Sequence, residues 1–130
     1  FDKQPNLATI ELSTLPERML FTKTKLTVKR GQPVKLTLTN PDHCAHNFVL
    51  VQPGALEEVG MAGNEMAKDP DGIKRDFVPK SPQVLHATKP LNPAGTQTLR
   101  FKAPAEPGDY PYVCTFPGHW RVMRGILIVE

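Results

Sequence analysis

Apolar and polar residues alternate along several short stretches of this chain. The alternation is clearest in residues 9–13, 25–29, 34–39 and 96–101. In the third stretch Val34, Leu36 and Leu38 share one face, while lysine and threonine side chains occupy the other. A period of two indicates strands with one buried face and one face in water. We expect such strands to pair antiparallel.

Four further apolar stretches predict the remaining strands. They are residues 47–51, 82–88, 110–114 and 125–129. Proline accounts for 14 of 130 residues, about double its ordinary share, which favours short strands joined by proline-bearing loops over a helical bundle. Together these features predict an all-β protein, a β-sandwich of about eight strands.

Residues 53–82 interrupt the strand pattern. Apolar residues recur near helical spacing from Ala55 to Met66, and Pro53 suits a first helical turn. Gly60 and Gly63 oppose a helix. From residue 69 onward the chain is polar and broken by prolines. We therefore expect a short helix followed by a surface flap.

One stretch near the end of the chain concentrates metal-binding side chains. Cys114, His119 and Met123 follow the spacing C-x4-H-x3-M between two predicted strands. A thiolate, two imidazoles and a weak thioether form the ligand set of a blue-copper electron-transfer site. The second imidazole must come from elsewhere, and His46, at the start of another strand, is the best candidate. The predicted ligands thus come from two loops at one end of a β framework.

The two cysteines, Cys44 and Cys114, allow other interpretations. They could form a single disulfide. His43, Cys44 and His46 could form a separate three-ligand metal site. If Cys114 binds copper, Cys44 remains as an unpaired thiol.

Length and charge narrow the class of protein. A chain of 130 residues predicts a single domain spanning residues 1–130. The formal net charge of +3 allows steering toward an acidic partner but does not indicate nucleic acid. No apolar run approaches the ~20 residues that cross a bilayer. Because the chain begins at Phe1 rather than Met, we expect a processed form or a domain of a longer protein.

Several segments together carry a family resemblance. They are residues 46–50, 84–89, 107–110, 114–119 and 123–125. In these segments the chain resembles the cupredoxins, and among them the azurin and auracyanin group, from about Leu26 onward. The resemblance implies a Greek-key sandwich that binds one type 1 copper and transfers single electrons between redox partners by cycling between Cu(I) and Cu(II).

The resemblance also implies a ligand set. His46, Cys114 and His119 would be the equatorial ligands and Met123 the long axial ligand. The backbone carbonyl of Ala45 would lie opposite Met123 as a weak fifth contact.

The same resemblance implies roles for further residues. Asn47 and Thr115 would lie beside the cysteine, with Asn47 joining the two ligand loops. The Phe116 N–H would donate to the sulfur, and such bonds tune redox potential. The edge of His119, flanked by Phe116 and Trp120 as an apolar rim, would pass electrons to a docked partner. Cys44 is expected in the apolar surface near the copper.

An electron carrier fits this pattern better than an enzyme, because four protein ligands leave no open position for a substrate. A copper oxidase or nitrite reductase would need a histidine beside the cysteine, but Val113 and Thr115 flank Cys114. A copper-delivery protein usually needs a more exchangeable site. An electron-transfer domain of a larger copper- or haem-containing enzyme remains the alternative. The expected partners are c-type cytochromes or membrane redox complexes, in the periplasm or another extracytoplasmic space.

Overall fold

The computed structural model describes all residues from 1 to 130. Its nine strands form two sheets, and one helix lies between the fifth and sixth strands. The elements are β1 (Ala8–Leu15), β2 (Leu20–Phe21), β3 (Lys25–Val28), β4 (Pro33–Asn40), β5 (Val49–Val51), α1 (Leu56–Glu65), β6 (Val84–Ala87), β7 (Gly95–Lys102), β8 (Gly108–Val113) and β9 (Arg124–Val129). The predicted sandwich is confirmed. No helix is both long and apolar enough to span a membrane.

The first sheet has the order β2-β1-β4-β7 and the second the order β3-β9-β8-β5-β6. The expectation of antiparallel pairing is wrong for two pairs, since β1 runs parallel to β4 and β3 runs parallel to β9. Alternation shows which face of a strand is exposed to water, but the pattern is the same whether neighbouring strands run parallel or antiparallel. The other five neighbouring pairs, including β4 with β7 and β8 with β9, are all antiparallel.

The main core lies between the two sheets. The alternating residues Val34, Leu36 and Leu38 are each at most 1 % exposed, as the pattern predicted. They pack in a cluster of 18 buried residues that also contains Cys114 and Met123. Two of the prospective ligands are therefore anchored in the core.

The predicted helix is present, but it begins at Leu56, three residues after Pro53. A 3-10 turn, Met66–Lys68, continues it into the flap. The buried face of α1 rests on Trp120 and Val113 through a second apolar cluster. The helical insertion thus covers the loop that follows β8.

Candidate metal centre

Strand pairing brings the two ligand loops together. β5 and β8 are antiparallel neighbours with Val49 opposite Val113. The residues just before β5 therefore lie beside the residues just after β8. His46 and Cys114 occupy these positions, although they are 68 residues apart. Cys114 lies one residue beyond β8 rather than within it.

Three donor atoms converge in the interior. The Cys114 Sγ atom lies 3.5 Å from His119 Nδ1 and 3.9 Å from His46 Nδ1. The ligand atoms of these three residues all lie within 4.8 Å of one another. His46 and Cys114 are fully buried, and His119 is 7 % exposed. One sulfur and two imidazole nitrogens at this spacing suit a soft or borderline metal ion such as copper.

Met123 lies at the far end of the second ligand loop. Its side chain is fully buried in the same core cluster as Cys114. The Cys114 N–H donates to the Met123 carbonyl across 2.9 Å, and the Met123 N–H donates to the His119 carbonyl, also across 2.9 Å. The loop is thereby closed on itself, and its three candidate donors keep a fixed arrangement.

A family model described as copper binding proteins of the plastocyanin/azurin family matches residues 8–130. The chain belongs to this family. Copper is accordingly its cofactor, and His46, Cys114, His119 and Met123 are positioned to bind one copper ion.

Two curated auracyanins of Chloroflexus aurantiacus resemble this cupredoxin. Auracyanin-A is 36 % identical over 124 residues, covering 94 % of this chain and 74 % of the relative. Auracyanin-B is 34 % identical over 124 residues, covering 93 % of this chain but only 52 % of the relative. The chain thus spans about half the length of the second relative.

A solved structure of auracyanin A, described as a "blue" copper protein, has the same fold. It superposes with a TM-score of 0.83 at 33 % identity and covers 95 % of this chain and 99 % of its own.

Burial and hydrogen bonding act in opposite directions on the pKa of the Cys114 thiol. Burial raises the pKa of the Cys114 thiol to about 11, whereas the backbone N–H groups of Asn47 and Phe116 donate to the sulfur and favour the thiolate. Burial also lowers the pKa of His119. Both effects favour neutral side chains in the metal-free protein, so a metal ion entering the site displaces the thiol proton.

Asn47 joins the two ligand loops, in the place that the resemblance implied. Its side-chain oxygen accepts the Thr115 N–H at 2.8 Å, and its amide nitrogen donates to Thr115 Oγ1 at 2.9 Å. Thr115 Oγ1 in turn donates to the Phe77 carbonyl at 2.7 Å. The flap is therefore fastened to the residue beside Cys114. Asp76 and Phe77 adopt positive φ angles of 59° and 53° there.

Asp42 is a partner of the site that the sequence interpretation missed. Its Oδ2 atom lies 2.6 Å from His46 Nε2, on the side of the ring opposite to the sulfur. The hydrogen bond with His46 and that from the Glu17 N–H hold the pKa of Asp42 well below its usual value. An aspartate four residues before a predicted histidine ligand was the available signal, although loop aspartates usually serve turns.

The expected apolar rim is only partly present. Phe116 is partly exposed, and its ring centroid lies 5.1 Å from that of His119. The expectation for Trp120 is wrong, because this side chain is only 5 % exposed and packs in the cluster beneath α1. Arg121 covers its ring, with the guanidinium 4.7 Å from the centroid.

The remaining predicted residues are placed as follows. Cys44 is exposed and unpaired, so the structure does not contain the disulfide alternative. His43 is also exposed, and it is not part of the donor cluster around Cys114. Ala45 is partly buried and lines a groove with Phe77 and Phe116.

Proposed function

We propose that this cupredoxin is a single-domain one-electron carrier, with the domain spanning residues 1–130. His46, Cys114, His119 and Met123 would hold the copper through two imidazoles, a thiolate and a thioether. The Ala45 carbonyl would add a weak contact. Copper bound by these residues would supply a one-electron Cu(I)/Cu(II) couple. The convergence of two Nδ1 atoms on the Cys114 sulfur in the core is the observation that carries this proposal.

A carrier is favoured over an enzyme by the burial of the donors. His46, Cys114 and Met123 are fully buried, and only 7 % of His119 is exposed. A substrate would need an open coordination position and a path to it. A site enclosed by four donors instead suits electron transfer through a ligand. The closed loop between Cys114 and Met123 would keep three of these donors in place in both oxidation states.

The route for electrons would pass through the edge of His119. Phe116 packs beside this ring and borders a groove that opens to solvent. We name as the apolar face the residues Ala45, Ile73, Phe77, Pro90 and Phe116, which line this groove. Ile73 is 76 % exposed, and its position beside the metal centre suits contact with a partner.

The partners would be redox proteins such as c-type cytochromes or membrane redox complexes in an extracytoplasmic space. Lys74 and Arg75 follow Ile73 directly, but they pair with Asp71 at 3.9 Å and Asp69 at 3.5 Å and so add little net positive charge. The exposed Arg121, two residues after the ligand His119, and the net charge of +3 favour an acidic rim on the partner. Charges of this kind mainly raise the rate of association.

The experiment that tests the proposal is an optical and EPR spectrum of protein loaded with cupric ion. We expect an intense thiolate-to-copper band. Cys114→Ser should abolish this band because the sulfur ligand is lost. Cys44→Ser is the matched control, since it removes the exposed thiol and should leave the band unchanged. A band that persists in the Cys114→Ser variant, or a colourless oxidised protein, would contradict the proposal.

A further inference from the structure

The loop that leads to His46 contains a buried carboxylate with both oxygens directed at donors. Asp42 is 3 % exposed. Its Oδ1 atom accepts the N–H groups of Glu17 at 2.8 Å and His43 at 2.7 Å. Its Oδ2 atom faces His46 Nε2 at 2.6 Å. All three partners are N–H groups, so the carboxylate is held in one orientation.

This contact fixes which nitrogen of His46 carries the proton. A carboxylate only accepts hydrogen bonds, so Nε2 is the donor. The lone pair of the ring is then on Nδ1, the atom that lies 3.9 Å from the Cys114 sulfur. The backbone of His46 is fixed separately, because its N–H and carbonyl both pair with Leu91. Asp42 is therefore needed for the orientation of the ring rather than for the path of the chain.

A neutral isostere cannot replace this carboxylate. An asparagine that turned its oxygen toward His46 would direct its NH₂ group at the N–H groups of Glu17 and His43. The opposite orientation would direct the NH₂ group at His46 Nε2–H. The site thus requires an acceptor at both oxygens, and this requirement places a negative charge one imidazole ring away from the metal position.

We propose that Asp42 is a positioning residue that presents His46 Nδ1 to the copper and, through its negative charge, favours Cu(II) over Cu(I). The inference rests on the proposed function, because it concerns the same copper couple. A histidine ligand that donates its other N–H to a carboxylate becomes a stronger ligand, and its ring orientation is fixed. Fixed negative charge in a buried site stabilises the ion of higher positive charge, since solvent screens it poorly.

Asp42→Asn tests the inference by removing the charge. We expect the equilibrium ratio of Cu(I) to Cu(II) at a given applied potential to rise at least about ten-fold, which corresponds to about 59 mV for one electron. In the diamagnetic Cu(I) protein, nitrogen-detected NMR should show a slowly exchanging His46 Nε2 proton that exchanges faster in the variant, because a neutral acceptor binds it more weakly than a carboxylate. Asp42→Ser serves the same purpose if the asparagine variant does not fold, because a hydroxyl can still accept a loop N–H.

Two variants control for charge and for stability. Glu17→Gln removes an exposed carboxylate from the neighbouring segment but keeps the backbone N–H that donates to Asp42. Thr14→Val removes a buried hydroxyl that donates to Asn40, two residues before Asp42 in the chain. Both should keep the wild-type potential, although Thr14→Val should lower stability.

The outcomes separate this inference from the proposed function. If wild-type protein shows the thiolate–copper band but the potential of the Asp42 variant equals that of Thr14→Val, Asp42 has only a structural role and the inference is wrong. If wild-type protein forms no such band, the proposed function fails and the inference fails with it. A raised potential in the Asp42 variants alone supports both.

Discussion

At the scale of single residues, His86 shows how burial sets a charge state away from the metal. Its ring stacks on Phe101 with centroids 4.6 Å apart and an interplanar angle of 28°. Burial lowers the pKa of His86. The folded protein therefore takes up this proton at lower pH than the unfolded chain does. The resulting stability is fully present above about pH 6.5, the ordinary histidine value, and is lost as the pH falls through the folded-state pKa.

We therefore expect His86→Leu to flatten the pH dependence of stability. Between pH 7.5 and 5, the free energy of unfolding of the metal-free wild type should fall more than that of the variant, because leucine has no proton to gain. Urea titrations at several pH values measure this difference. His119 is present in both proteins, so its contribution to the pH dependence of stability cancels in the comparison. Parallel curves over this range would show that His86 is protonated equally in both states.

The residues of the metal centre differed in how far the sequence could reveal them. Cys114, His119 and Met123 share one loop, so their spacing alone indicated a common site. His46 could be predicted from its position at the start of a strand elsewhere in the sandwich. Asp42 could not be inferred, because its role depends on the direction of one hydrogen bond within the folded loop. The surface position expected for Trp120 was wrong because the contact that buries it comes from a helix about 60 residues upstream.

At the scale of elements, the close packing of α1 against the ligand loop accounts for its two glycines, Gly60 and Gly63. They weakened the helix prediction because glycine costs about 1 kcal/mol relative to alanine in a helix. In the structure, a Cβ atom at Gly60 would lie 2.3 Å from the ring of Trp120, and one at Gly63 would lie 2.7 Å from the Thr115 carbonyl oxygen. The helix approaches the ligand loop this closely only because both positions lack a side chain.

Gly63→Ala should therefore destabilise the protein although alanine favours helices. The Thr115 backbone is fixed by Asn47, so the clash should cost about 1–3 kcal/mol and outweigh the gain in propensity. Met61→Ala is the control, because Met61 is 50 % exposed on the same helix and should change stability by less than about 0.5 kcal/mol. Urea unfolding of both variants measures the difference. A Gly63→Ala protein more stable than wild type would mean that the contact relaxes freely.

Strand positions followed from the sequence more closely than strand partners did. β1, β4 and β7 each extend one or two residues beyond the predicted stretches at either end. The parallel pairs β1–β4 and β3–β9 were not foreseen, because the chain crosses between sheets and alternation is the same in either direction. The bend before β5 was also missed. There His46 pairs with Leu91 in an isolated bridge, and this departure from regular pairing allows the ring to reach the metal position.

At the scale of the whole molecule, the sandwich presents one end for function. Two loops at that end hold the donors, the flap is fastened beside them through Thr115, and the apolar face opens next to His119. Phe77 and Phe116 contact each other edge to face with centroids 5.2 Å apart, so the flap forms part of this surface. The core between the sheets fixes all of these parts relative to one another.

If the apolar face is the docking surface, substitutions there should change the rate of electron exchange between two copies of the protein. If each copy docks through this face, Ile73→Asp should slow self-exchange at least about ten-fold, because the charge must be desolvated and meets a like charge in the symmetric encounter. Ile126→Asp is the matched control, since Ile126 is also exposed, at 40 %, but lies on β9 in a different groove with Pro111. NMR line broadening in mixtures of Cu(I) and Cu(II) protein measures the rate, and unchanged optical spectra would establish that the copper site is intact. If both variants slow self-exchange equally, the effect comes from net charge, and the apolar face is not the docking surface.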